Sequence, residues 1–241
     1  MIFTIAGREL RSLFLSPLAW IILAVMALVF GIVFDISIAA YVQSPLPDGA
    51  TATIVPGLYE LAMVLLFFIV PMITMRIFSE ERRNQSLPLL FSAPVSMTEI
   101  VLGKYLGVVA YLMIMVVTLT LMPLSMMLGT SVDIGLLFAN VVGMVLLLGS
   151  FTAIGLFMST LTQVPALAAI LAFGALFLLW LLKLPAYWFG ENAISYLSIA
   201  SHYENFLKGV FSSADVVYYV VIIVLFLAFS VRRLEADRLG G

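Results

Sequence analysis

The densest charge in the sequence is the run Arg76-Ile77-Phe78-Ser79-Glu80-Glu81-Arg82-Arg83, with Lys104 a short way downstream. Between them lie the apolar residues Leu87, Leu89, Leu90 and Phe91, followed by Pro94. A short apolar piece between charged flanks invites a soluble protein to bury it. The same arginines could instead do no more than orient the chain in a membrane, and the residues alone leave the two readings level. A second group, His202, Tyr203, Glu204 and Phe206, sits in the polar, aromatic-rich stretch from Leu184 to Asp215. A lone histidine with no second ligand nearby in sequence is a poor basis for a metal site or a proton relay. Asp35 and Glu60 interrupt otherwise apolar segments close to their ends, where a solvated rim position accounts for them.

Several kinds of chemistry are excluded. None of Lys104, Lys183 or Lys208 sits in a G-x-x-x-x-G-K-[ST] string, so this chain does not hold ATP in a P-loop. Cysteine is absent, which removes disulfides, thiolate metal sites and thiol nucleophiles. No triad, metal-ligand cluster or paired-carboxylate site is visible, so the expectation is a non-enzyme without cofactor or metal of its own. A net charge of −2 offers nucleic acid no footing.

These residues must be positioned by membrane helices. Hydrophobic residues fill 64% of 241 positions and charged ones only 10%, against about 25% charged in soluble domains. A spanning helix needs roughly 20 apolar residues, and six stretches qualify, near 18–40, 58–78, 101–128, 134–159, 166–184 and 214–231. Pro17 and Pro165 suit helix starts, where the missing N–H costs nothing. Gly129-Thr130-Ser131-Val132-Asp133 should join the third and fourth spans as a tight antiparallel pair. Residues 2–15 repeat Ile2, Phe3, Ile5, Ala6, Leu10, Leu13 and Phe14 at mostly helical spacing, with Arg8, Glu9, Arg11 and Ser12 between them. That pattern predicts an amphipathic helix lying on the cytoplasmic leaflet. The fold class expected is therefore an all-α membrane protein, six transmembrane helices with an N-terminal interfacial helix.

With both termini cytoplasmic, Arg8, Arg11, Arg76, Arg82, Arg83, Lys104, Arg232, Arg233 and Arg238 fall inside, and only Lys183 and Lys208 outside. This bias supports an even number of spans in a bacterial inner membrane. Ser37-Ile38-Ala39-Ala40 offers small residues for signal cleavage, but the apolar stretch from Leu18 to Phe34 exceeds a signal peptide's core, so no cleavage is expected. Ser96-Met97-Thr98-Glu99 reads as a capping box opening the third span.

Arg76-x-Phe78-Ser79-Glu80-Glu81-Arg82-Arg83, then Leu89-Leu90, Ala93-Pro94-Val95-Ser96, Glu99-Ile100-Val101 and Leu102-Gly103-Lys104-Tyr105, resembles the signature of ABC-2 type transporter permeases. His202-Tyr203-Glu204-Asn205-Phe206-x-Lys208-Gly209-Val210 and Asp215-Val216-Val217-Tyr218-Tyr219 resemble the gliding-motility-associated (GldF-like) branch. The resemblance covers residues 1–241 as a single ABC-2, type V exporter-like transmembrane domain. It implies a separate ABC ATPase subunit, acting as a dimer and holding ATP and Mg, and a second permease half, identical or paralogous. It leaves room for a periplasmic or envelope auxiliary protein. The working unit would be an exporter. Residues 76–100 would be the coupling region, with Arg76, Glu80, Glu81, Arg82, Arg83, Leu87, Leu89, Leu90 and Phe91 meeting the ATPase. Residues 184–214 would be an external re-entrant or interfacial segment, with His202, Tyr203, Glu204 and Phe206 as gate candidates, although an aromatic belt would produce the same composition. Gly143, Gly149 and Gly155 would let the fourth span pack closely, against the second permease half.

Two departures stand out. Relatives carry Gly-Thr and then an acid after the basic pair, where this chain has Gln85-Ser86 and then Pro88. Tyr203 and Lys208 stand where Phe and Arg are expected. Two other classes compete with an ATP-driven permease: a secondary transporter, disfavoured by the lack of buried acids and of internal repeats, and a machine whose motion works an envelope protein without transport.

Overall fold

The structure is a computed structural model and describes residues 1–43, 49–85, 95–184 and 195–240. Among these, the regular structure is helical. That follows from the solvent, because hydrocarbon offers no partner to backbone N–H and C=O groups and a helix satisfies its own. The helices are α1 (Ile2–Leu15), α2 (Pro17–Gln43), α3 (Gly49–Thr74), α4 (Arg76–Arg83), α5 (Met97–Ser125), α6 (Ile134–Thr160), α7 (Pro165–Leu181), α8 (Ile199–Leu207) and α9 (Ser213–Gly240).

The local signals act as the chemistry requires. Pro17 and Pro165 begin α2 and α7. Ser96 caps α5: its hydroxyl accepts the Glu99 N–H at 3.2 Å, while the Glu99 carboxylate accepts the Ser96 N–H at 3.1 Å. Asp133 caps α6 by accepting the Leu136 N–H at 3.1 Å. α4 ends differently. Gln85 takes φ +53°, the left-handed region where a Cβ is strained and glycine is favoured.

Five helices or helix pairs are long and apolar enough to cross a membrane, Gly49–Arg83 counting as one because α3 runs through Met75 into α4. α7 is shorter, 17 residues. It touches α8 at one end of the bundle and α4 at the other. α8 packs where α6 begins, with Phe206 on Gly143 and Gly209 beside Leu136. The α3–α4 junction and the far end of α9 meet where α6 finishes, through Thr74 of α3 on Gly155 and the Arg82–Asp237 ion pair. α7 joins these opposite ends, and α1 and the end of α9 lie at the same one.

α6 is the central post, touching α3, α4, α5, α7, α8 and α9. Its glycines are consumed within the chain, which corrects the expectation that they serve a second half. A Cβ on Gly143 would lie 2.5 Å from that of Phe206, one on Gly149 would lie 2.9 Å from the Tyr105 hydroxyl, and one on Gly155 would collide with Thr74. The physical reason is its position. A helix surrounded on all sides can admit its neighbours only by shedding side-chain volume.

α1 is the helix expected over residues 2–15, and its inner face has a partner. Ile5 and Ala6 sit against α5 at Gly103 and Gly107, where an added Cβ would lie 2.6 Å from the Ile5 Cβ and 2.9 Å from the Ala6 carbonyl. The apolar stripe is thus spent largely on α5, leaving Phe3 and Leu15 exposed. Two hydrogen bonds set the sharp turn at Ser16: the Tyr111 hydroxyl donates to the Ala19 carbonyl at 2.7 Å and the Trp20 indole to the Phe14 carbonyl at 2.8 Å.

Candidate functional site

At the end where both α1 and α9 finish, the charged run of α4 is divided by helix geometry. Ile77, Phe78 and Ser79 are buried and anchor α4 against the bundle. Glu80 remains on the surface and pairs with Arg76 one turn back at 3.5 Å. Glu81 turns inward to Lys104 of α5 at 2.8 Å. Lys104 is 3% exposed, and it also faces Glu9 of α1 at 3.4 Å, the Ile77 carbonyl at 3.2 Å and the Phe78 ring at 5.2 Å. A buried ammonium needs such company, since an unpaired charge in a low dielectric is costly. Arg82 reaches the other way, to Asp237 of α9, which Arg233 also approaches at 3.7 Å. Arg83 is exposed.

The segment singled out for coupling is therefore bolted to three other helices. Arg76, Glu80 and Arg83 remain for a partner to touch, while Glu81 and Arg82 hold α4 to the body. Leu87, Leu89, Leu90 and Phe91 lie outside the described residues. Sequence reasoning counted Lys104 only among the basic residues of the cytoplasmic side and did not pair Glu81 and Glu9 with it, or Asp237 with Arg82. The signal available was weak: Glu9 shares the inner face of α1 with Ile5, Ala6 and Leu13, where an acid is out of place.

At the opposite end, α8 is tied into the bundle by the residues proposed as a gate. His202 is not alone. Its Nδ1 meets the Asp215 carboxylate at 2.5 Å and its Nε2 faces the Tyr196 carbonyl at 2.7 Å. A carbonyl only accepts, so Nε2 carries a proton there, and a further proton lies between Nδ1 and Asp215. Asn205 Nδ2 also donates to Asp215 at 2.9 Å and the Tyr218 ring stacks on the imidazole at 3.9 Å, so the buried pair is held from several sides. This corrects the picture of a partnerless histidine. Among the described residues no group of three metal-ligating side chains occurs.

Tyr203 and Phe206 are fully buried; the Tyr203 hydroxyl donates to the Tyr59 carbonyl at 3.3 Å. Glu204 is half-exposed and pairs with Lys183 beyond α7. It also borders a cleft of about 550 Å³ with Ala52, Pro56, Glu60, Leu136, Leu207 and Lys208. Of the four gate candidates only Glu204 lines open space, and the other three fasten α8 in place.

No curated protein matches this chain. A family model described as ABC-2 family transporter protein matches residues 3–239, from the first turn of α1 to the end of α9. The match takes in both the bolted α4 and the clasped α8. The chain belongs to the ABC-2 transporter family, and so to the multi-pass, non-catalytic membrane components of ABC transporters.

Proposed function

We propose that this chain is one permease half of an ATP-driven exporter in a bacterial inner membrane, moved by a separate ATPase subunit that docks on α4 and the residues following it. Both termini face the cytoplasm, because nine of the eleven basic residues belong to that end. The carrying observation is the joint of α4 to α1, α5 and α9 through Glu81–Lys104–Glu9 and Arg82–Asp237. A segment held to three helices passes a push on to all of them, whereas a loop that only set topology would need no such bolts. The cleft bordered by Glu60, Glu204 and Lys208 supports an exit on the outer side.

The test is co-expression with candidate ABC ATPase subunits from the same genome. A stable complex, with ATP hydrolysis altered by Arg76→Glu and Glu80→Lys while the fold stays intact, is the expected result. Robust transport by this chain alone in liposomes would refute the reading. The likeness of residues 202–219 to the gliding-motility branch supports a variant in which the motion works an envelope protein. Stimulation of hydrolysis by such a protein, with none by solutes or lipids, would select it.

A further inference from the structure

We infer that the cytoplasmic end of α9 is a second docking element for the ATPase, forming with α4 a composite basic face for an acidic patch on that subunit. This rests on the permease reading and extends its contact surface beyond the coupling segment.

α9 holds 28 residues, so it is about 42 Å long, whereas the hydrocarbon core is about 30 Å. Counted from Ser213, about 20 residues exhaust the core near Arg232. Arg232 and Arg233 then stand at the phosphates, and Arg238 lies about 9 Å further along the axis, past the headgroups. The projection is held in place: Leu234 is buried in the core and Asp237 pairs with Arg82. Arg83 and Arg238 are the chain neighbours of that pair, so the pair sets them at one height on adjoining helices. Both are exposed, and neither has an ion-pair partner among the described residues.

The charge of this corner opposes that of the chain. Net charge overall is −2, yet here the five cations Arg82, Arg83, Arg232, Arg233 and Arg238 meet only Glu235 and Asp237, and Asp237 is shared by Arg82 and Arg233. Such a field attracts an acidic partner and speeds its approach. Anionic lipid explains Arg232 and Arg233 well enough. It does not account for Arg238, which stands beyond the headgroups.

The experiment measures ATPase association with the full chain in nanodiscs, with and without anionic lipid, from 50 mM to about 0.5 M salt. The variants are Arg83→Glu/Arg238→Glu, the milder Arg83→Gln/Arg238→Gln, and Arg83→Glu alone, which should lose less than the double reversal; a loss equal to the double reversal's would leave α9 out of the contact and overturn the inference. The expected result is about tenfold weaker association for the double reversal at low salt, less for the glutamine pair. Both should converge on wild type at high salt, where the Debye length falls to about 4 Å, and thermal stability should not change. The loss should be the same in neutral and anionic discs. Equal binding by wild type and double reversal at low salt would overturn the inference, as would a loss confined to anionic discs, which would assign the arginines to headgroups. If the wild-type chain binds no ATPase at any salt, the permease reading itself fails and takes this inference with it.

Discussion

Lys104 is the residue whose replacement separates a bolt from a bystander. At an effective dielectric near 20, its 2.8 Å contact with Glu81 is an attraction of about 6 kcal/mol, and its 3.4 Å contact with Glu9 about 5 kcal/mol. Repulsion between the two carboxylates and the loss of the lysine's hydration cancel most of this. What survives is better judged from removing one partner of a buried pair, which costs about 3–5 kcal/mol. The two carboxylates keep 16% and 21% exposure, so water relieves part of the penalty and the lower end, about 3 kcal/mol, is expected for Lys104→Met. Glu81→Gln in the same background should cost little more, giving a coupling of about 2 kcal/mol in the double-mutant cycle. Thermal unfolding in detergent measures both. Trypsin cleavage at Arg8 and Arg11, which lie on the outer face of α1, should accelerate as α1 loosens. Strict additivity of the two substitutions, or a Lys104→Met protein that melts like wild type, would refute the assignment. Glu80→Lys is the control: it loses only an exposed pair with Arg76, worth about 0.5 kcal/mol or less.

Other outcomes can be checked on the same preparations. Gln85→Gly should raise stability by about 1 kcal/mol, because the left-handed φ of +53° strains a residue bearing a Cβ; an unchanged melting temperature would contradict it. Gly107→Ala should push α1 off α5, since the new methyl meets the Ala6 carbonyl, which is backbone and cannot step aside; faster proteolysis of α1 with α2–α9 intact is the readout. Asp215→Asn should destabilise the outer segment by about 1–3 kcal/mol by weakening the buried hydrogen bond to His202. His202→Gln in the Asp215→Asn background should recover part of that loss, measured by hydrogen exchange over residues 195–218.

Much of the helical frame was legible because its causes are local. The period of Ile2 to Phe14, the prolines at 17 and 165 and the box at Ser96–Glu99 each act within a turn or two of themselves. Boundaries failed where hydropathy and helix formation part company. α3 begins at Gly49, nine residues before the start expected at residue 58, and α9 continues past Val231, because hydrogen bonding does not stop where apolarity does. The partners of the charges were not legible at all. Lys104 finds Glu9 across 95 positions and Asp215 sits 13 residues from His202 on a different helix; no periodicity encodes either meeting. The glycines of α6 were recognised as packing residues, but which helix each admits depends on where α6 stands in the bundle.

The Arg82–Asp237 pair joins positions 155 residues apart. During synthesis α4 emerges early and its lock late, so for most of translation α4 has only its hold on α1 and α5. A chain stalled or cut before the ninth helix would insert its earlier spans and still offer α4 in an unfastened state. If firm attachment is what lets α4 carry load, recruitment of the ATPase becomes a report on finished assembly. Defective chains would then be passed over by the subunit that would otherwise spend ATP on them.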